Sequence, residues 1–314
     1  MFEKASSLKL LVIGDLILDH YIYGEANRIS PEAPVPIINK SHETYLPGGA
    51  ANVALNLKQF GVDLTLIGSV GNDIDAERLT NLLDKDRVNH LLLNTEKPTT
   101  VKTRVIARNQ QILRIDSEST KYLTSSEFIT IKSFINEQLD KVSYDGIVIS
   151  DYNKGLLSSD LIQVIITRAK EDNIPVFVDP KNSNYWEYKD VTIFKPNKKE
   201  LYDALDDKNV SLDNALEKTI NQLNCDHLVC TLSQDGIVIK NKEHSIYKKG
   251  LNVEVADVSG AGDSAFAMII VSFLLGYNWN TILELANLSG AQACQKVGVS
   301  LIVPSSIEKS MSNS

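Results

Sequence analysis

The run Asp257-Val258-Ser259-Gly260-Ala261-Gly262-Asp263, continued by Ser264-Ala265-Phe266-Ala267-Met268-Ile269-Ile270, is the most informative stretch of the chain. A turn of small residues feeds directly into an apolar helical pattern. Small residues let a backbone approach an anion closely, and the first turn of a helix points free N–H groups at it. Asp263 falls in that first turn, beside the place an anion would occupy. A carboxylate is poorly suited to holding an anion and well suited to taking a proton. The segment therefore reads as an anion hole with a base attached, which suggests phosphoryl transfer to a hydroxyl. The same residues also fit a plainer reading, an acid favoured by the helix macrodipole after a flexible turn.

Outward from this turn, short apolar runs alternate with helical patterns. The spacing predicts strands at 8–14, 64–70, 88–93, 146–150, 176–179, 191–194, 227–232, 237–240 and 252–256. Helices are expected at 48–60, 73–83, 125–140, 159–171, 198–206, 211–223, 263–275 and 280–296. Repeated strand–helix units imply an α/β fold with a mostly parallel central sheet and helices on both faces. Two segments break the rhythm. Residues 20–45 carry Pro31, Pro34 and Pro36 among Tyr21, Tyr23, Val35 and Ile37, and read as extended edge structure. Residues 99–116 alternate around Asn109-Gln110 and read as a hairpin. Together they are expected to form a small β lid on residues 1–314 taken as one domain, and the polar tail after Pro304 is expected to fray.

The 314 residues are 43% hydrophobic, enough for a large core. Net charge is −8 with the two signs mixed, so no nucleic-acid partner is expected. The cysteines, Cys225, Cys230 and Cys294, and the five scattered histidines lack metal-ligand spacing. Sparse, odd-numbered cysteines point to reduced thiols and a cytoplasmic location. No apolar run approaches a membrane span, so no membrane partner is expected.

In open α/β sheets ligands sit beyond the carboxyl ends of the strands. Polar groups gather there: Asp15; Asp151 and Lys154; Asp179-Pro180-Lys181; Lys195-Pro196-Asn197 with Glu200; and Ser233 to Gly236. With Gly48-Gly49-Ala50-Ala51-Asn52-Val53-Ala54, the Asn197-x-x-Glu200 element and the Asp257–Asp263 turn, the chain resembles the ribokinase-like (PfkB) carbohydrate kinases over nearly its whole length. Within that family it looks most like the D-glycero-β-D-manno-heptose 7-phosphate kinases. The residues that point there are Arg28-Ile29-Ser30-Pro31-Glu32-Ala33-Pro34-Val35-Pro36, Arg108-Asn109-Gln110-Gln111, Ser150-Asp151-Tyr152 with Lys154-Gly155, and Asp179-Pro180-Lys181.

The resemblance implies a ribokinase-like three-layer fold with ATP and Mg²⁺ as cofactors. It makes Asp263 the general base, with the N–H groups of Gly260, Ala261 and Gly262 receiving the charge on the transferring phosphoryl group. It gives Asn197 and Glu200 to the phosphates and metal, Glu200 partly through water. Their plainer reading is a capping Asn with a first-turn Glu. Asp15, Gly48, Gly49, Asn52, Asn109 and Asp151 are expected on the sugar side. Arg104, Arg108 and Lys154 are candidates for a phosphate already on the sugar, although alternate arginines on a lid strand also serve as solvated edge protection. Ser233, Gly236, Asn287 and Gly298 match positions near the adenine. Many relatives have Gly where Ser233 stands and Thr where Val299 stands. The implied reaction is ATP-dependent phosphorylation of the anomeric hydroxyl, with a different sugar, sugar-phosphate or nucleoside kinase, or a non-catalytic sugar-phosphate binder, as alternatives. The chain is expected to end about where such a kinase ends, leaving any nucleotidyltransferase step to a separate protein. Apolar lid residues Tyr21, Tyr23, Val35, Ile37, Val105 and Ile112 suggest a homodimer through the lid.

Overall fold

A computed structural model describes residues 1–108, 110–296 and 298–312. The strands are β1 (Lys9–Gly14), β2 (Leu16–Ile29), β3 (Pro36–Gly49), β4 (Asp63–Gly71), β5 (Asn89–Thr95), β6 (Val101–Ala107), β7 (Gln110–Ser117), β8 (Gly146–Ser150), β9 (Val176–Asp179), β10 (Ile193–Phe194), β11 (His227–Thr231), β12 (Gly236–Lys240) and β13 (Ser245–Lys249). The helices are α1 (Ala50–Lys58), α2 (Ile74–Lys85), α3 (Ser125–Lys141), α4 (Ser159–Glu171), α5 (Lys198–Asp203), α6 (Leu212–Leu223), α7 (Ala261–Leu274), α8 (Trp279–Cys294) and α9 (Pro304–Ser312).

A nine-stranded sheet runs β13-β12-β11-β10-β9-β8-β1-β4-β5. It is parallel from β11 to β5 and antiparallel at the β12–β13 edge. Its inner strands are buried on both faces, so the period-two alternation of side chains splits each apolar run between two cores. Leu10 and Val12 join Val148, Phe177 and Val229 beneath α1, α2, α7 and α8. Leu11 and Ile13 join Ile147, Ile149, Val178 and Leu228 beneath α3, α4 and α6. Helix α7 is buried continuously from Asp263 to Ser272, which explains why it is apolar all round rather than amphipathic.

A second sheet, β3-β2-β6-β7, forms the lid. Its strands begin and end closer to the main sheet than expected: β2 starts at Leu16 and β3 ends at Gly49, so the lid is rooted in the first core through Leu16 and Leu18. Every residue of β7 is exposed, while Tyr21 at the root of β2 is fully buried. The expectation that Tyr21 adds to an exposed lid face is therefore corrected.

The chain departs from expectation in three further places. No strand forms at 252–256; the edge strand is β13, joined to β12 by a turn in which Asn241 Oδ1 accepts the amides of Glu243 and His244. Pro304–Ser312 is ordered as a helix rather than frayed. It forms α9, with Ile307 buried in the first core and Glu308 accepting from the Met1 ammonium at 2.8 Å. Strand β10 is only two residues long, although the backbone of Thr192 before it already bonds to Val176 O and His227 N on the two neighbouring strands.

Candidate active site

The parallel ladder brings the carboxyl ends of β1, β8, β9 and β10 to one edge of the sheet. The amides of Asp15, Asp151 and Lys195 continue it one residue further, bonding to Ser150 O, Asp179 O and Val178 O. The N-termini of α1 and α7 converge on the same edge. Gly260 caps α7 in the left-handed region (φ +79), and a Cβ there would sit 3.0 Å from Asn52 Nδ2 in α1.

Asp263 lies in the first turn of α7 and is only 5% exposed. Its Oδ2 accepts from Asn52 Nδ2 at 2.6 Å and its Oδ1 from the Tyr152 hydroxyl at 2.6 Å. Asn52 is itself held by Asn56, whose Nδ2 donates to Asn52 O (2.9 Å) and Oδ1 (3.1 Å). Burial pushes the Asp263 carboxyl above its ordinary range, against the opposing pull of Tyr152, Asn52, Lys195 and Lys181. Burial and the Asp263 charge raise the Tyr152 phenol well above its usual value, so its hydroxyl stays protonated and donates. The result is a desolvated carboxylate fixed by two donors, with lone pairs left to take a proton.

Beside it the anion turn opens onto charge. A Cβ built on Gly262 would meet Lys195 Nζ at 4.0 Å and nothing nearer. Lys195 is 2% exposed and pairs with Asp179 Oδ1 at 3.0 Å. Burial pushes the Asp179 carboxyl up to about 6, with Lys195 and then Lys181 pulling it down. Lys181 pairs in turn with Glu200 Oε1. Of the three expected turn amides, Ala261 N–H donates back to Val258 O at a long 3.3 Å. Asp257 secures the turn by accepting from Ser259 N (2.9 Å), Ser259 Oγ (2.8 Å) and Gly298 N (2.9 Å).

A scan against family models matches residues 7–306 to the pfkB family carbohydrate kinases. The chain belongs to this family. Curated relatives include "Bifunctional protein HldE" of Sulfurimonas denitrificans, 38% identical over 98% of this chain and 65% of the relative. Its namesake in Helicobacter pylori strain J99 is 36% identical over 93% of this chain and 64% of the relative. This pfkB kinase thus spans about 65% of the length of the curated relatives it matches. Escherichia coli phosphofructokinase-2 in complex with substrates and products superposes with TM-score 0.79 at 19% identity, covering 96% of this chain and 97% of that one. Arabidopsis thaliana ribokinase complexed with ribose and ATP gives 0.72 at 18% identity, covering 96% and 98%. These likenesses establish the ribokinase-like fold of the pfkB kinase.

Several expected site residues prove to be committed within the protein. Asn197 and Glu200 form a capping box at α5: Asn197 Oδ1 accepts from Glu200 N (2.9 Å), and Glu200 Oε2 accepts from Asn197 N (2.8 Å). Asp15 accepts three amides, from Tyr152 (2.9 Å), Lys154 (3.0 Å) and Leu156 (3.1 Å), and so holds the loop that carries Tyr152. Asp151 is committed to three donors. Asn153 N, Asn184 Nδ2 and Tyr188 Oη donate to it, and burial pushes its carboxyl up to about 6. It buttresses the second core through Tyr188. Arg104 pairs with Asp19 and lies 5.3 Å over the Tyr21 ring. Gly48 is required there, since a Cβ would fall on the Asp19 carboxylate. Gly49 turns from β3 into α1 at φ +60. Arg108 sits at the exposed lid tip, donating to Asn27 Oδ1 at 2.8 Å, and Asn109 lies outside the described residues. Lys154 pairs with Glu118 at 2.8 Å.

On the other flank, Ser233 adopts φ +55, which explains why Gly suits this position elsewhere in the family. Gly236 has φ +113, and Gly298, at φ +81, packs against the Tyr21 ring. Asn287 Nδ2 donates to Lys249 O at 3.0 Å and ties α8 to β13. Sequence reasoning left Tyr152, Asp179, Lys181 and Lys195 out of its assigned site. All four follow strand ends that it had marked as polar, and that is the signal that could have found them.

Proposed function

We propose that this pfkB kinase transfers the γ-phosphoryl group of ATP to the anomeric hydroxyl of D-glycero-β-D-manno-heptose 7-phosphate, with residues 1–314 acting as one catalytic unit in the cytoplasm. The observation that carries the chemistry is the buried Asp263 carboxylate at the start of α7, with the Lys195 ammonium across the open Gly262 position. Asp263 takes the proton of the attacking hydroxyl, and the α7 N-terminus with Lys195 receives charge on the phosphoryl oxygens. Asn52 and Tyr152 orient the base. The choice of sugar rests on the lid motifs and on the similarity to the HldE proteins.

Among the described residues no group of three His, Cys, Asp or Glu side chains could cage a metal. That fits Mg²⁺ carried chiefly by nucleotide phosphates and water, for which Glu200 and Asp179 retain acceptor lone pairs. When bound, the ion neutralises charge on the β- and γ-phosphates. No helix among the described residues is long and apolar enough to cross a membrane.

The test is a coupled ADP-release assay on heptose 7-phosphate, fructose 6-phosphate, ribose and adenosine. Heptose 7-phosphate should give the highest kcat/KM. Preference for any of the other three would replace the substrate reading while leaving the kinase reading intact. The lid also exposes Ile29, Val35, Ile112, Leu113 and Ile115, each more than 40% accessible. We propose that a second copy covers exposed apolar side chains of this lid. Sedimentation should give a dimer at micromolar concentration that Leu113→Lys shifts toward monomer, and a monomeric wild type would remove the proposal.

A further inference from the structure

Lys102 is a half-buried lid lysine, on β6, that makes no ion pair or hydrogen bond among the described residues. Four charged groups face it: Lys154, Asp19, Asp116 and Glu118. Each of the three acids is already closed on another cation. Asp19 pairs with Arg104, Asp116 with Arg114 at 2.9 Å, and Glu118 with Lys154 at 2.8 Å. One positive charge is therefore left over. It is partly desolvated and has a second ammonium as its neighbour. Burial first, and Lys154 second, hold the Lys102 ammonium below its usual value. A half-buried charge without a counter-ion costs stability, and a bound anion would relieve that cost.

The position of this surplus charge selects the anion. Lys102 Nζ lies 5.8 Å from the centre of the Tyr152 ring, and the hydroxyl of that ring donates to Asp263. The surplus cation and the base are thus separated by one aromatic side chain, a span comparable to a sugar. Lys102 reaches this ring from the lid strand β6, whereas Lys181, 5.3 Å from the same ring centre, is paired with Glu200, and Lys195, at the anion turn, is paired with Asp179.

We infer that Lys102, with Lys154 beside it, holds the phosphate ester already present on the acceptor sugar. This inference rests on the kinase reading above. It moves the phosphate contact away from Arg104, whose guanidinium is committed to Asp19 and Tyr21. Lys154 spends one of its three donors on Glu118 and keeps others for a shared oxygen.

The experiment compares wild type, Lys102→Gln and Lys102→Arg in steady-state kinetics with heptose 7-phosphate and with unphosphorylated heptose. The ratio of kcat/KM between the two sugars should fall about 10- to 100-fold in Lys102→Gln, the usual worth of a hydrogen bond to a charged group. Lys102→Arg should recover part of it. Thermal melts of each variant establish that it is folded. An unchanged ratio in a folded Lys102→Gln overturns the inference. If wild type does not turn over heptose 7-phosphate, the substrate reading fails separately. The subsite is then decided by melting with inorganic phosphate in the presence of saturating ADP. A phosphate-induced rise in Tm that is lost in Lys102→Gln supports the subsite, and an equal rise in both proteins overturns it.

Discussion

Asp263→Asn should lower kcat by about 100-fold or more, since a positioned base contributes at least that much. The amide preserves shape, and helix α7 keeps its buried apolar face. It does not preserve hydrogen bonding. Asn52 Nδ2 and the Tyr152 hydroxyl both donate to the carboxylate, and an Asn can accept on one side only. One donor therefore loses its partner, at a cost of about 1–3 kcal/mol of stability. Fluorescence titration with ADP should show near-normal nucleotide binding. A variant with kcat within tenfold of wild type would end the assignment of Asp263 as base. The pH dependence gives a second check. Burial raises the Asp263 carboxyl, so the wild-type rate should fall on acidification at a pH above the ordinary carboxylate range. The Tyr152 hydrogen bond favours the ionised form. Tyr152→Phe should therefore move the acid limb of kcat upward by about one pH unit.

Lys195→Met should damage both stability and turnover, and a second substitution separates the two effects. Lys195 is the buried partner of Asp179. Removing one member of such a pair costs about 3–5 kcal/mol, because the other charge is left without compensation. Asp179 can escape by taking a proton. Its folded pKa already stands raised, at about 6, and loses the downward pull of Lys195 in the variant. A carboxyl raised on folding destabilises increasingly as pH climbs from its unfolded value to its folded one. Wild type shares that loss up to about pH 6, so the gap in urea midpoint between wild type and variant should widen as pH rises above about 6. Asp179→Asn combined with Lys195→Met should restore most of the stability. It should not restore turnover, which stays down by about 100-fold because the ammonium facing Gly262 is gone. Recovery of kcat in the double variant would show that Lys195 serves the fold alone.

The α/β architecture was legible because the parallel strands are apolar on both faces and end in polar residues. Strands β8 and β9 and helix α4 fall on their expected residues. The sequence misled where local pattern and tertiary pairing diverge. Val253 and Val255 alternate as a strand would, yet the sheet edge is taken by Ser245–Lys249, which the Asn241 turn folds back onto β12. The segment after Pro304 looked too polar to order, but Ile307 docks it on the first core and Glu308 ties it to the Met1 ammonium. At the site, residue type announced the base and the glycine turns. It could not announce which charges are already spent. Asp15, Asp151, Arg104 and Lys154 look free in a sequence and are each engaged in the fold. Lys102 looks like one more lid lysine, yet it is half-buried with no ion pair or side-chain hydrogen bond among the described residues and lies against the Tyr152 ring.

The three amides gathered by Asp15 have a consequence for how the acceptor is admitted. They are the stays of the segment from which Tyr152 reaches Asp263. A sugar hydroxyl that seeks the Asp15 carboxylate competes with those stays, and any slack it wins is passed along to the phenol resting on the base. Seating the acceptor and aiming the carboxylate that acts on it then draw on a single set of bonds.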